Sequence, residues 1–199
     1  MLASKIIRFL LSDQKTIVLY YFCSFSSSTG RTRSHILKLL ITQLLNRSRD
    51  LASYVYEEYV AMGKTTSMLQ LKDLIFALLQ GFRITRIVVD GLDECDESDQ
   101  KDIIEDLRRL AGVSPSGSIC KILFVSRDIS SISQHLRKMS SINLSFERTA
   151  IDSAIKSFVI SKLDPVREKV LHMNLGSGLI DSISSEILEK ADGELTTSQ

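Results

Sequence analysis

The sequence has no C-x-x-C pair, no clustered histidines and no long apolar run, and each absence argues against a class of protein. Its three cysteines, Cys23, Cys95 and Cys120, are odd in number and widely spaced, so neither a disulfide framework nor a thiolate zinc site is indicated. They suit a reducing compartment, where Cys23 and Cys120, each inside an apolar run, act as small buried hydrophobes. His35, His135 and His172 stand alone, which argues against a metal centre built on imidazole. No apolar stretch reaches the roughly 18 residues that a membrane span needs. The charged start Met1 to Arg8, followed by Phe9, Leu10 and Leu11, is too short for the apolar segment of a signal peptide. A cytoplasmic protein with no membrane partner is the expectation.

Charge of one sign is also lacking: 25 basic and 24 acidic residues give a formal net charge of +1, and no general attraction to nucleic acid or anionic lipid. What charge there is lies unevenly. Before Asp50, Lys5, Arg8, Lys15, Arg31, Arg33, Lys38, Arg47 and Arg49 face the single acid Asp13, whereas Asp90 to Asp106 is dominated by carboxylates. Arg31, Arg33, Arg47 and Arg49 span a loop and helix ends without an aromatic platform, so a nucleic-acid surface is not expected. There is no internal repeat.

A chain of 199 residues, 44% hydrophobic, is long enough for one sizeable core with a small helical appendage. Four apolar runs read as strands: Thr16 to Phe22, Arg86 to Asp90, Lys121 to Ser126 and Ile142 to Phe146. The first three are nearly continuous in apolar residues, the pattern of parallel strands covered on both faces. Between them lie helical periodicities. One follows Ser34 with the stripe Ile36, Leu37, Leu40, Ile41, Leu44 and Leu45; another runs from Asp50 to Tyr59; a third covers Met68 to Gln80 and stops at Gly81. Gln100 to Ala111 has Asp99 and Asp102 near its start and Arg108 and Arg109 in its last turn, matching a helix dipole. Alternating helices and strands predict a doubly wound α/β sheet. Beyond Phe146 only helices are predicted, Thr149 to Leu163 stopped by Asp164-Pro165, then Leu179 to Ala191, with a polar tail from Asp192. The expected domains are an α/β core over residues 1–146 and a partial helical domain over 147–199.

The sharpest chemical signal is Arg86-Ile87-Val88-Val89-Asp90-Gly91-Leu92-Asp93-Glu94. A buried parallel strand ending in a carboxylate delivers it to the sheet's C-terminal edge, where open α/β folds bind ligands. Asp90 is thereby placed to hold magnesium, which prefers hard oxygen ligands and substrate phosphates. Asp93 and Glu94 lie just past the edge, where a carboxylate can orient or deprotonate an attacking water. The run Cys120 to Arg127 ends on the same edge, and Ser126 and Arg127 are placed to meet a terminal phosphate.

These residues resemble the NACHT group of signal-transducing P-loop ATPases, in particular the nephrocystin-like version found in large fungal proteins that end in ankyrin or WD repeats. The matching stretches are Leu2-Ala3-Ser4-Lys5-Ile6-Ile7, Leu19 to Phe25, the Walker B stretch Asp90-Gly91-Leu92-Asp93-Glu94-Cys95, and Leu123 to Asp128. The resemblance covers Met1 to Ile129, with a looser fit from Ile142 to Gly193. It implies a three-layer P-loop NTPase-like parallel sheet, magnesium with ATP or GTP as ligands, and a switch whose nucleotide state controls oligomerisation in signalling. It further implies metal binding by Asp90, hydrolysis through Asp93 or Glu94, and phosphate sensing by Arg127.

The phosphate-binding motif G-x-x-x-x-G-K-[ST], which in such domains joins the first strand to the helix matching Leu2 onward, is not in these 199 residues. Gly63-Lys64-Thr65-Thr66 is no substitute, because Glu58 stands where the motif needs its first glycine and the preceding segment reads as helix. The expectation is a truncated domain with the central P-loop strand missing, which alone binds neither magnesium nor nucleotide. A rival expectation is a non-enzymatic interaction module that pairs with a related NACHT protein or with itself through its exposed sheet.

Overall fold

The computed structural model describes residues 2–24, 32–63, 67–112, 118–144, 148–172 and 178–196. The chain divides into two compact units, Met1–Lys138 and Met139–Gln199. The first begins with helix α1 (Leu2–Leu11), followed by strand β1 (Ile17–Phe22), α2 (Thr32–Leu45) and α3 (Arg49–Val55), which continues as a π-helical turn over Tyr56–Val60. Then come α4 (Met68–Leu79), β2 (Ile84–Asp90), a 3-10 turn (Leu92–Glu94), α5 (Glu97–Gly112), β3 (Ile119–Val125) and α6 (Ser130–Leu136).

Local chemistry explains several boundaries. Ser67 starts α4 with a reciprocal cap: its Oγ accepts from the Gln70 N–H at 3.3 Å, and Gln70 Oε1 accepts from the Ser67 N–H at 3.1 Å. Helix α5 carries Glu97 and Asp99 in its first turn and Arg109 in its last, as its dipole favours. The expected caps at Ser34 and Asp50 are corrected, since Ser34 lies inside α2 and Ser48 is the residue preceding α3.

The strands form one parallel sheet in the order β1-β2-β3, with Phe22 opposite Asp90 and Asp90 opposite Val125. Side-chain alternation splits the strands between two faces. Leu19, Tyr21, Ile87 and Val89 join the main core beneath α2, α4 and α5, where Leu40, Leu44, Ile75, Ile104 and Leu107 are fully enclosed. Each such side chain contributes about 2 kcal/mol through removal from water. The opposite face carries a smaller cluster in which Ala3 and Ile7 of α1 pack on Val18 and Val88. The acidic strand is therefore the middle of the described sheet. The expected gap of a missing central strand is corrected, because β2 pairs directly with both β1 and β3, and a further strand can add only outside β1 or β3.

Those two edges differ. On β1, the Gln43 side chain from α2 acts as a substitute strand: the Tyr20 N–H donates to Gln43 Oε1 at 3.0 Å, and Gln43 Nε2 donates to the Tyr20 carbonyl at 2.8 Å. Among the described residues β3 pairs with β2 alone, and Ile119 and Leu123 are 49% and 39% exposed. A run as apolar as Ile119 to Val125 is typical of an interior strand, yet it lies at an edge.

The second unit contains α7 (Arg148–His172) and α8 (Gly178–Thr196), which pack on one another. Two sequence expectations are corrected here. Ile142 and Asn143 do not form a strand, and residues 145–147 lie outside the described residues. Helix α7 also runs through Pro165 instead of ending at Leu163. Proline removes only its own N–H from the ladder, and the carbonyl left without it, that of Ser161, lies on an exposed part of the helix where water reaches it. No helix among the described residues is long and apolar enough to cross a membrane.

Candidate functional site

Three strand ends meet at the sheet's C-terminal edge and are tied by backbone hydrogen bonds. The Cys23 N–H donates to the Asp90 carbonyl at 2.8 Å, and the Gly91 N–H to the Val125 carbonyl at 2.9 Å. Immediately after Asp90 the chain must reverse. Gly91 does so with φ of 73°, a left-handed conformation that side chains disfavour, and a Cβ there would meet Glu94 Oε1 at 3.3 Å and the Cys23 carbonyl at 3.4 Å. The reversal feeds the 3-10 turn, closed by the Glu94 N–H to the Gly91 carbonyl at 2.9 Å and anchored by the fully buried Leu92.

This turn directs Asp93 back towards the end of β3. Its Oδ1 accepts the Arg127 backbone N–H at 3.1 Å and its Oδ2 accepts Arg127 Nε at 2.7 Å. The pair is lopsided, with the Asp93 side chain 8% exposed and that of Arg127 63% exposed. Glu94 folds against Gly91, and Ser126 is exposed beside Arg127. Asp90, Asp93, Glu94, Ser126 and Arg127, the site residues singled out in the sequence, thus occupy one edge. Both oxygens of Asp93 are engaged by Arg127.

Burial is the largest influence on the Asp90 carboxyl and raises it above the usual carboxylate range, partly offset by the nearby Gly91 N–H, with the Asp93 and Glu94 charges adding to the rise. A cation beside Asp90 would relieve this crowding of carboxylates. No group of three or more His, Cys, Asp and Glu side chains suited to a metal occurs among the described residues. One strand-end carboxylate with neighbouring acids fits magnesium shared with phosphate oxygens and water, rather than an ion held by protein alone.

Beneath the edge the Cys23 and Cys95 thiols are buried, and the neighbouring Cys95 thiol together with burial pushes Cys23 well above its ordinary range. Burial raises Cys120 to about 11. Cys23 is an inert apolar filler, as its surroundings in sequence suggest. Two residues with no sequence signal complete the support. Gln100, almost fully buried, donates from Nε2 to the Cys95 carbonyl at 2.8 Å and accepts from Ser131 Oγ at 2.8 Å, fastening the turn to α5 and α6. Gln43 holds the β1 edge as described.

Helix α1 also serves this edge. The turn after it, where Asp13 accepts from the Lys15 N–H at 3.0 Å and Thr16 Oγ1 at 2.7 Å, leads straight into the start of β1. The helix therefore ends at the sheet's N-terminal edge, and its beginning at Leu2 lies towards the edge that carries Asp90. Gly63 follows helical turns rather than a strand, and Lys64, Thr65 and Thr66 lie outside the described residues.

Among curated proteins, the chain is similar to the vegetative incompatibility protein HET-E-1 of Podospora anserina, with 24% identity over 184 residues. The match covers 87% of this chain but spans only 13% of that relative's length. No solved structure matches the chain. Residues 1–127, well over half of the sequence and containing the whole edge just described, match the family "Nephrocystin 3, N-terminal". The chain belongs to the nephrocystin 3 N-terminal family.

Proposed function

We propose that the chain supplies the metal-side and sensor part of a NACHT-type, nucleotide-dependent signalling switch. The observation that carries this reading is the meeting of Asp90, the Asp93–Arg127 pair and Glu94 at the C-terminal edge of a parallel sheet. In it, Asp90 orients magnesium, and Glu94 orients the water that attacks the terminal phosphate. The magnesium, when bound, neutralises charge on the phosphates. Arg127 and Ser126 contact the terminal phosphate. ATP or GTP is the nucleotide, and the switch acts by changing its association with related NACHT proteins.

A phosphate-binding loop is the part these 199 residues do not contain. Several charge-assisted hydrogen bonds, each worth about 1.5–3 kcal/mol, are absent with it, so nucleotide affinity falls about a thousandfold or more. The open edge of β3, set against the Gln43-capped edge of β1, supports β3 as the place where a strand carrying such a loop adds. The start of α1, near Asp90, is the helix end that such a loop would feed.

The test compares this chain with a version extended ahead of Leu2 by an apolar strand and a G-x-x-x-x-G-K-[ST] loop. Labelled ATP and GTP should show no saturable micromolar binding to the first with or without magnesium, whereas the extended chain should gain both binding and a higher Tm. Tight 1:1 binding by the unextended chain, or binding by the extended chain without added stability, would contradict the reading. The same exposed edge favours a second reading, an interaction module that pairs through β3 with itself or a related protein. A defined oligomer whose formation protects the β3 amides from exchange, with no nucleotide bound by the extended chain, would select it.

A further inference from the structure

The Asp93–Arg127 pair has one enclosed and one exposed partner. Asp93 is fixed from both sides, by the Glu94 N–H to Gly91 carbonyl bond at 2.9 Å and the Cys95 N–H to Leu92 carbonyl bond at 3.2 Å, and its carboxylate is nearly enclosed. Arg127 lies past the end of β3 with most of its side chain in solvent. Its guanidinium meets Oδ2 at 2.7 Å while its backbone N–H meets Oδ1 at 3.1 Å. If the guanidinium swings away, Asp93 keeps the backbone hydrogen bond, so release does not leave a buried charge wholly unpaired. A guanidinium accepts a carboxylate or a phosphate through the same fork of N–H donors.

We propose that Asp93 is an internal stand-in for phosphate: it holds Arg127 in the ligand-free protein and yields it to the terminal group of a bound polyphosphate. The ligand class rests on the nucleotide-switch reading; the exchange rests on the geometry. Asp93 is then a positioning residue acting through Arg127, and Glu94 remains the carboxylate for water. The pair sets a threshold, because an incoming anion must outcompete a preorganised carboxylate. Weak anions leave Arg127 on Asp93, whereas a polyphosphate with several charges draws it off.

The probe is inorganic tripolyphosphate, titrated without magnesium at constant ionic strength into the full chain and followed by calorimetry and by the Arg127 Nε–H resonance. In the wild-type chain that resonance should move as the anion saturates; an unmoved resonance at saturation overturns the proposal without recourse to any variant. Asp93→Asn should tighten tripolyphosphate binding about tenfold, since one charge-assisted competitor is removed. In an Arg127→Ala background the same substitution should change affinity by less than about twofold. An equal gain in both backgrounds would mean that Asp93 acts only as bulk negative charge, and no gain in either would mean that it does not compete at all; each overturns the proposal. Nucleotide binding by the extended chain is a separate readout. If it binds nucleotide while the cycle fails, the exchange alone is wrong, and if the cycle holds while nucleotide fails, the switch reading is wrong.

Discussion

Asp106 and Asp93 are both nearly buried carboxylates facing cations, and they serve opposite purposes. Asp106, with its side chain 4% exposed on α5, accepts from Arg33 Nε of α2 at 2.6 Å and Lys72 Nζ of α4 at 2.7 Å. Arg33 also reaches Asp102. Both cations are themselves mostly covered, and the cluster ties three helices over the thick face of the sheet. Asp93 has a comparable enclosure but an arginine that stands largely in water. The same ionic chemistry is enclosed on both sides at Asp106 and on one side alone at Asp93, which is the difference the proposed exchange draws on.

The comparison breaks most visibly if Asp106 proves dispensable. Asp106→Ala should lower stability by about 3 kcal/mol in urea unfolding, because two covered cations lose their shared partner. A loss near zero would make the cluster surface decoration. Its acid dependence follows from opposing influences: burial, the largest, raises the Asp106 carboxyl, but the hydrogen bonds and charges of Arg33 and Lys72 together bring it below the ordinary value of 3.8. A carboxyl lowered in the folded state stabilises fully above the unfolded value and loses that contribution as pH falls through the folded one. The stability gap between wild type and Asp106→Asn should therefore be constant at neutral pH and narrow below about pH 4.

An intermediate effect is expected at Gly91, which sets the direction of Asp93. Gly91→Ala should cost about 2 kcal/mol, combining the left-handed backbone with contacts to Glu94 and the Cys23 carbonyl. It should also shift the Arg127 Nε–H resonance, linking the turn to the pair. The smallest stability effect belongs to Arg127→Ala, below about 1 kcal/mol, since an exposed partner contributes little to folding. A loss there equal to that at Asp106 would erase the distinction between the two clusters.

Much of this layout is legible in the sequence because it follows from local pattern. The continuous apolar runs at Ile17, Ile84 and Ile119 are strands, the first two largely buried and the third a part-exposed edge, and a strand ending in Asp90 places that residue at the C-terminal edge of a parallel sheet. What escaped depends on partners far away in the chain. Nothing adjacent to Asp93 announces Arg127, and nothing adjacent to Asp106 announces Arg33 and Lys72. Gln43 and Gln100 are ordinary polar residues in sequence, and only the backbone groups brought to them reveal an edge cap and a turn fastener. The run at Ile142 has strand composition but, among the described residues, no sheet neighbour, and Pro165 does not stop a helix on an exposed turn.

The central claim, that the edge of Asp90, Asp93 and Arg127 reads a terminal phosphate, is tested most directly by the triphosphate-to-diphosphate affinity ratio of the extended chain with and without Arg127. The account predicts that Arg127→Ala weakens triphosphate binding about tenfold while diphosphate binding changes little, because in the proposed reading only the terminal phosphate would lie within reach of that side chain. Equal weakening of both nucleotides would contradict it and leave Arg127 as surface charge held by Asp93.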